Sequence, residues 1–357
     1  MHELEINDDA VSFAFAGVRQ DIWHRLGQQF EGDGLMTAEE AMSLANMNRE
    51  VTTIPVPATD EHGMPFHVAD GLDMPHFVIL QGVAIGVSED GNPIGAPTKI
   101  VGVTGSQGAV GHADLQIRDR FELAEAAIFA SNGEARWSTA GVLRDGRQMF
   151  ATLEAPPTII DPDGCRDIVR KYLTVTWSFD GSRATELGVS DIRVVCANTM
   201  GMHDGDKQSI IKVKHTSKAE ERMALAAQHW AMAQNTSGAL KLFAERMLRK
   251  ADGKRALRRI CDEVLDLKHD PDGTDRTNSI RARKRDEIYT LYHASTNLEA
   301  VGDNCWAAYQ TVVEYFDWFG DVKGKDKDLT RLRNQFDGAH NGVKQKVAGF
   351  LDELVSA

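Results

Sequence analysis

The sequence predicts an α+β fold, in which an N-terminal sheet of antiparallel β-hairpins with packed helices is followed by a C-terminal helical bundle. One observation is that Leu173, Val175 and Trp177 alternate with more polar residues, a period of two that is typical of strands. Another is that apolar residues after Ala219 recur with the helical period of about 3.6 residues. We therefore expect a mixed α+β domain over residues 1–206 and a mainly helical domain over residues 207–357.

The stretch 171–202 organises the N-terminal part. Asp180-Gly181 follows the alternating strand and supplies a turn, because both residue types favour tight turns. The apolar run from Ile192 to Cys196 predicts a further strand with one charge, Arg193, inside it. The next residues, 197–199, suit a turn or a helix cap, so we expect the sheet to end there and a helical region to begin.

Elements before this stretch follow from local signals. Thr37 and Glu40 form a capping box, which predicts a short helix ending near Met47. Asp145-Gly146 lies between two alternating runs and predicts a hairpin. Strands are expected at 51–56, 77–87, 98–103, 136–143 and 148–153, with a helix at 115–130. After residue 219, breaks at 252–253, 270–273 and 320–328 predict a bundle of four or five helices.

Composition indicates a soluble, cytoplasmic protein. The chain has 357 residues, and its 42% hydrophobic content is sufficient for a real core. No apolar run approaches the roughly 20 residues that a membrane helix needs, and the acidic N-terminus does not resemble a signal peptide. The cysteines are far apart in the sequence, which favours buried free thiols; they are Cys165, Cys196, Cys261 and Cys305.

Charge is distributed unevenly along the chain. The net charge is −13, but residues 1–206 carry −17 and residues 260–357 carry −5. Residues 207–259 carry 13 basic and 4 acidic side chains, a net charge of +9. A basic segment is therefore embedded in an acidic protein, and a basic segment is the electrostatic feature that phosphates attract.

Motifs for catalysis are weak. The glycines between residues 102 and 111 are not followed by Gly-Lys-Ser/Thr and do not form G-x-G-x-x-G, so a flexible loop is favoured over a nucleotide site. The His- and Asp-rich residues 60–76 and His112 lack a compact ligand spacing. No Ser stands in G-x-S-x-G. We expect no enzyme activity, no cofactor and no metal, and a metal-dependent nuclease using His67 or His112 is the least favoured alternative.

The basic segment provides the candidate binding residues. Cations at this density neutralise phosphates and release counterions, which gives salt-sensitive binding to nucleic acid. The alternative is a solvated helix face that balances an acidic body. The candidate nucleic-acid-binding residues are Lys212, Lys214, Lys218, Arg222, Arg249, Lys250 and Arg193, of which Arg193 could instead anchor the hairpin internally.

Several short motifs are spread along nearly the whole chain. They lie at 23–27, 37–41, 139–147, 178–182, 193–199 and 306–315, and their signature residues include Trp23, Gly141, Asp180, Gly181, Arg193, Cys196 and Asn198. Together these motifs resemble those of a family of phage and plasmid proteins that carry a domain of unknown function. Phe179 stands where the family usually has His. The resemblance implies a role in replication, recombination or host takeover.

The resulting hypothesis is a non-enzymatic, phage-type nucleic-acid-binding protein of recombination or replication. It would act as a homo-oligomer, possess a basic groove for single-stranded DNA annealing, and work with phage or host replication and recombination proteins. The alternative is a protein-binding module that targets a host or phage complex through its acidic N-terminal half. No membrane association is expected.

Overall fold

A computed structural model describes the architecture of the chain. The described residues are 6–7, 10–11, 13–15, 28–30, 36–56, 62, 64, 74–87, 93–96, 98–105, 116–160, 167–193, 199–200, 210–213, 219–267, 276–294, 296–323, 327, 330–331, 334 and 339–356. They form mainly antiparallel sheets, with one parallel pair between Phe13–Phe15 and Gln28–Gln29, together with a C-terminal helical region, which confirms the predicted α+β class.

The strands form one large sheet and three small ones. The strands are β1 Ile6–Asn7, β2 Ala10–Val11, β3 Phe13–Phe15, β4 Gln28–Gln29, β5 Val51–Pro55, β6 His76–Leu80, β7 Val83–Val87, β8 Pro93–Ala96, β9 Lys99–Thr104, β10 Arg136–Leu143, β11 Gln148–Ile160, β12 Asp167–Ser178, β13 Thr185–Arg193, β14 Thr199–Met200 and β15 Ile210–Val213. The large sheet has the order β14-β13-β12-β11-β10-β3-β4, and β15 also pairs with β13. The small sheets are β5-β6-β9, β7-β8 and β1-β2.

Two helices precede β10 and the others follow β15. The helices with described bounds are α1 Ala38–Leu44, α2 Ile117–Ala130, α3 Ala219–Arg249, α4 Gly253–Arg259, α5 Arg276–Ala294, α6 Thr296–Val301, α7 Cys305–Glu314 and α8 Asn341–Ser356. Helices α4 and α7 each continue into a π turn, Ile260–Val264 and Tyr315–Phe319 respectively. The predicted break at 252–253 is confirmed, whereas residues 270–273 lie outside the described residues.

The local sequence signals place several elements correctly. Thr37 Oγ1 accepts a hydrogen bond from Glu40 N at 3.2 Å, and the Glu40 carboxylate accepts one from Thr37 N at 2.8 Å. This is the predicted capping box, and α1 begins immediately after it. Strand β10 has the predicted bounds. The run 77–87 was expected to be one strand but forms two, because Gly82 N donates to Thr98 Oγ1 instead of continuing a ladder.

The sheet extends further along the chain than the sequence indicates. The sequence predicts that the sheet ends at 197–199 and that a helical region follows, but β14 and β15 continue the sheet. Helix α3 begins at Ala219, where the helical period is predicted to begin. Strand β14 pairs with β13 through Asp191↔Met200 and Ile192↔Thr199, and β15 also pairs with β13. Pairing with an existing strand satisfies backbone groups that a helix would otherwise satisfy, so tertiary context overrides the local capping signal.

The chain divides into two compact units. The first contains Met1–Glu154, Leu173–Leu187 and Ile211–Trp230, and the second contains Ala155–Tyr172, Gly188–Ile210 and Ala231–Ala357. The domain boundary predicted at residue 206 lies outside the described residues and stays a prediction.

The core of the first unit is built around a buried arginine. Phe121 stacks on Trp137 with ring centroids 5.2 Å apart and meets Trp177 edge-on at 6.3 Å. The Arg120 guanidinium lies 5.5 Å from the Trp177 ring centroid and 5.4 Å from that of Phe179. Desolvation lowers the Arg120 pKa to about 9, against a smaller opposing effect of Asp119, so the side chain stays charged at neutral pH. Trp177 and Phe179 are both buried in this core.

Strand β9 approaches the backbone of the 178–182 turn closely at Gly102. A Cβ atom placed on Gly102 would lie 2.2 Å from Phe179 O and 2.9 Å from Asp180 Cα. These are backbone atoms, which cannot swing aside as a flexible side chain can. Only glycine therefore fits at this crossing.

The substitution Gly102→Ala tests this approach. It should destabilise the protein by about 1–3 kcal/mol, because the added methyl must displace backbone. The matched control is Gly349→Ala in α8, where no atom lies within 4 Å of the added Cβ. That change should stabilise the helix by up to about 1 kcal/mol. Urea unfolding measures both, and equal midpoints for the two variants would contradict the close approach.

The second unit has a continuous helical core. Trp306 stacks on Tyr309 with centroids 5.7 Å apart, and Phe243 meets Trp306 edge-on at 6.1 Å. The Trp306 indole N–H donates to Asp167 Oδ2 at 2.8 Å. Two of the cysteines, Cys261 and Cys305, are buried free thiols in this core, as predicted, and the other two lie outside the described residues.

A buried ion pair also lies in the second unit. Lys344 Nζ on α8 is 2.6 Å from Asp317 Oδ1 on the π turn that follows α7, and the two side chains are only 6% and 1% exposed. Removing one partner of such a pair leaves a buried charge without compensation, whereas removing both can be almost neutral.

Because Lys344 and Asp317 form a buried ion pair, we expect substitutions of the two residues to have non-additive effects on the free energy of unfolding. Lys344→Met alone should cost about 3–5 kcal/mol, and adding Asp317→Leu should recover most of that loss. The control is Lys327→Met, which breaks an exposed 2.9 Å pair with Asp321 and should cost less than about 1 kcal/mol. Denaturant unfolding of the wild type, the two single variants Lys344→Met and Asp317→Leu, and the double variant gives the coupling energy, and additive effects of the two single substitutions would exclude a buried pair.

Candidate nucleic-acid interface

The described basic residues of the C-terminal region concentrate where α3 meets α4. We call the five cations of this junction the basic patch: Arg249, Lys250, Lys254, Arg255 and Arg258. All five are exposed, and none forms an ion pair with another described residue. The patch therefore combines the charge and the accessibility that phosphate binding requires.

The local sequence explains why these cations point outward. Ala256 and Leu257 of α4 are buried in the core of the second unit, together with Ile260 of the π turn that follows. Helical periodicity then places the neighbouring cations of α4 on the opposite, solvent-facing side. The apolar stripe thus fixes which face of α4 carries the charge.

The junction between α3 and α4 is held by specific contacts. Asp252 adopts a left-handed backbone conformation with φ 76°, and its side chain caps α4 by accepting from Arg255 N at 3.3 Å. Gly253 is buried against Asn304 and the Tyr292 hydroxyl, and an added Cβ would lie 2.3 Å from each. The Lys250 carbonyl accepts from Cys305 N at 3.0 Å. The basic patch is consequently carried on a rigid support.

The charges around the basic patch favour the binding of an anion. Arg249 ends α3, where a positive charge complements the partial negative charge of the helix terminus. Asp252 is the acidic residue within 249–258, and its carboxylate is engaged in the helix cap. Burial raises the pKa of the Cys305 thiol, while the nearby Lys250 charge opposes that shift. The thiol is therefore neutral at physiological pH, and no thiolate offsets the cations.

The cations that flank the patch in the sequence are paired with carboxylates. Arg246 forms an ion pair with Asp352. Arg259 donates to both carboxylate oxygens of Glu263, at 2.7 and 3.1 Å, and lies over the Phe350 ring. Three arginines of α5 are paired in the same way, through Arg281–Asp266 at 2.9 Å, Arg283–Glu287 at 3.6 Å and Arg285–Asp262 at 2.8 Å.

The structure places the predicted binding residues in two units. Arg249 and Lys250 lie in the basic patch. Lys212 lies on β15 in the first unit and is 73% exposed, with its Nζ 3.6 Å from the Glu186 carboxylate. The positions of Lys214 and Lys218 lie outside the described residues, and the side chains of Arg222 and Arg193 are not described.

Three members of the patch were missing from the predicted site. Lys254, Arg255 and Arg258 belong to the basic segment but are not among the binding residues predicted from the sequence. The signal that could have found them is their spacing of one, three and four residues, which places them on one side of a helix opposite Ala256 and Leu257.

The family motifs at 139–147 and 178–182 lie side by side. Phe179 N donates to Arg147 O at 2.8 Å, and Gln148 Nε2 donates to Ser182 Oγ at 2.8 Å. Both turns contain left-handed backbone, at Arg144 and Asp145 with φ 52° and 59° and at Gly181 with φ 75°. Lys99 Nζ lies 2.5 Å from Asp145 Oδ1 and ties β9 to the first turn.

Asp180 organises the second of these turns. Its carboxylate accepts from Ser182 N at 3.0 Å and from Ser182 Oγ at 2.5 Å. Desolvation raises the Asp180 pKa, but the bonds from Ser182 and Ser178 and the Arg147 charge together hold that pKa below its ordinary value. Gly141 is buried opposite Phe150 in the β10–β11 ladder. These motif residues thus support the fold, while Trp23, Cys196 and Asn198 lie outside the described residues.

The described residues contain neither a metal site nor a membrane-spanning helix. Among the described residues, no three His, Cys, Asp or Glu side chains are grouped so that they could hold a metal ion. Of the histidines considered for metal binding, His62 and His76 are described and His67 and His112 are not. No helix in the described ranges is long and apolar enough to cross a membrane.

Comparison with protein families gives one match. Residues 115–336 match the model for a domain of unknown function, DUF932. The chain belongs to this family. The matched segment covers α2, both motif turns and the basic patch, and it excludes β5 to β9 and α8. No curated protein and no solved structure matches the chain.

Proposed function

We propose that this member of the DUF932 family is a non-enzymatic nucleic-acid-binding protein whose basic patch contacts the phosphate backbone. The observation that carries the proposal is the patch of five exposed cations without carboxylate partners among the described residues. The patch stands out because neighbouring cations are paired and the whole chain carries a net charge of −13.

Single-stranded DNA is the proposed ligand. Point charges hold the backbone and carry no base-specific contacts, so bases stay available for pairing with a second strand. The resemblance of the sequence motifs to phage and plasmid proteins supports a role in recombination or replication, with strand annealing as the specific activity. In that role the protein acts as a homo-oligomer in the cytoplasm, alongside phage or host replication and recombination proteins.

Salt-dependent binding is the direct test. Each phosphate contact to a single strand contributes a slope of about −0.7 in log K against log salt, so five contacts should raise Kd roughly 100-fold between about 50 and 200 mM salt. Fluorescence anisotropy with labelled single-stranded and duplex DNA of equal length measures this slope. Equal slopes and affinities for both forms would leave phosphate binding intact but remove the single-strand preference.

The triple variant Arg249→Glu, Arg255→Glu and Arg258→Glu tests the location of the site. It should weaken single-strand binding at least about tenfold at low salt and reduce the slope by roughly two. The matched control reverses three exposed cations elsewhere, Arg118, Lys323 and Lys346, and changes the net charge equally. Equal losses in the two variants would indicate a non-specific charge effect and reject the patch as the site.

A wild-type protein that binds neither DNA form at the lowest salt would contradict the proposal. That result would favour the alternative hypothesis from the sequence, in which the protein is a protein-binding module that acts through its acidic N-terminal half.

A further inference from the structure

The π turn that ends α7 presents an aromatic ring to solvent. Four of the five residues of this turn, Tyr315–Phe319, are aromatic. Tyr315 is buried and both Phe316 and Trp318 are half-buried, whereas Phe319 is 55% exposed. Turns of this kind within helices occur frequently at functional sites. The exposed ring of Phe319 is therefore a candidate contact for a ligand.

The backbone that carries Phe319 is firmly held. The next residue, Gly320, donates from its N–H to Tyr315 O at 2.6 Å and accepts from Arg331 Nη2 at 3.4 Å. The Tyr315 hydroxyl in turn donates to the Glu287 carboxylate of α5 at 2.9 Å. A planar ligand that stacks on the ring would consequently not have to order the turn first, which lowers the entropic cost of binding.

Cations lie around this turn. The hydrogen bond and the charge of Lys327 hold the pKa of Asp321 below its ordinary value, and the charges of Arg283 and Arg331 lower that pKa further. The pairs Lys327–Asp321 and Arg283–Glu287, at 2.9 and 3.6 Å, are exposed, and exposed ion pairs contribute little to stability. A phosphate can therefore replace either carboxylate as the partner of these cations.

A second exposed phenylalanine lies in the opposite electrostatic environment. Phe129 at the end of α2 is 75% exposed. Glu125 lies one turn earlier on the same side of α2, and partial desolvation and the charges of Glu122 and Glu39 raise its pKa. A polyanion would be repelled by these carboxylates. Of these two exposed rings, that of Phe319 has surroundings that fit a nucleic acid.

Helix α7 connects this ring to the basic patch. The first residue of the helix, Cys305, donates from its N–H to the carbonyl of Lys250 in the patch at 3.0 Å. The helix and its π turn run from there to Phe319, which is about 20 Å along the axis at roughly 1.5 Å per residue. A stacked strand advances about 3.4 Å per nucleotide, so roughly six nucleotides span that distance.

Given the proposed function, on which this inference rests, we propose that the Phe319 ring stacks on a base of the single strand whose phosphates the basic patch holds. Phosphate contacts do not separate a single strand from a duplex, because both present phosphates. A single strand also exposes the faces of its bases, and an aromatic side chain stacks on any of them. Phe319 therefore determines the preference for single strands, and stacking leaves the pairing edge of the base free for annealing.

Three labelled ligands of equal length, about 15 nucleotides, test this role by fluorescence anisotropy: a thymidine single strand, the same strand with abasic sites, and a duplex. Phe319→Leu removes the ring but keeps an apolar side chain. It should weaken binding to the intact single strand about fivefold or more, and leave the affinities for the abasic strand and the duplex unchanged, because neither offers a free base.

Two further variants complete the test. Phe319→Tyr keeps an aromatic ring and should retain the wild-type affinity for the intact strand. The matched control, Phe129→Leu, removes the other exposed ring and should leave all three affinities unchanged. An unchanged affinity of Phe319→Leu for the abasic strand also shows that this variant is folded.

A Phe319→Leu variant that binds the intact strand as tightly as the wild type would overturn the stacking role, as would equal losses for the intact and the abasic strand. Both results leave the proposed function in place, because the wild type still binds DNA. A wild type that binds none of the three ligands would refute the proposed function and the stacking role together.

Discussion

The buried guanidinium of Arg120 is the constraint on which the first unit depends. It lies against the rings of Trp177 and Phe179 and donates to Thr185 Oγ1 at 3.3 Å. A charge removed from water must keep such partners, so moving α2 away from these residues would be costly. One turn earlier, Gln116 bonds both the N–H and the carbonyl of Val51, at 2.8 and 2.9 Å, and thereby ties β5 to the same helix. The docking of α2 thus also positions the three-stranded sheet β5-β6-β9.

In the second unit, hydrogen bonds of polar side chains at helix ends determine how the helices meet. Asn304 caps α7 through Ala307 N at 2.9 Å, and Asp303 accepts from Tyr292 Oη at 2.7 Å and from Lys254 N at 3.0 Å. These bonds bring the starts of α4 and α7 together without using the charged side chains of the basic patch. The cations are therefore free to point into solvent, where the Coulomb attraction of a polyanion acts over a Debye length of about 10 Å.

Strands and helices with strong local signals were predictable, but the pairings between distant residues were not. The Asp145-Gly146 turn and the alternation in 136–143 predict β10 because that information is local. The neutralisation of Arg246 and Arg281 depends on Asp352 and Asp266, which only the tertiary fold brings close. Similarly, the sequence places Ile100 and Val103 in a strand, but a one-residue register shift decides which face they share. The sequence therefore predicted the segment that contains the candidate site, whereas the structure was needed to identify which residues of that segment form the basic patch.

The two π turns lie at the C-terminal ends of α4 and α7. At these ends, each helix can accommodate a change in chain length. A π turn contains one more residue than an α-helical turn, so it is the natural trace of a single-residue insertion. In α4 and α7 this extra residue follows the helix, at 260–264 and 315–319, while the opposite ends are fixed by the caps of Asp252 and Asn304. Deleting one residue from the first π turn would restore an ordinary helical turn without rotating the residues before it. Evolution can therefore vary the length of these helices and still keep the direction of the side chains at their starts.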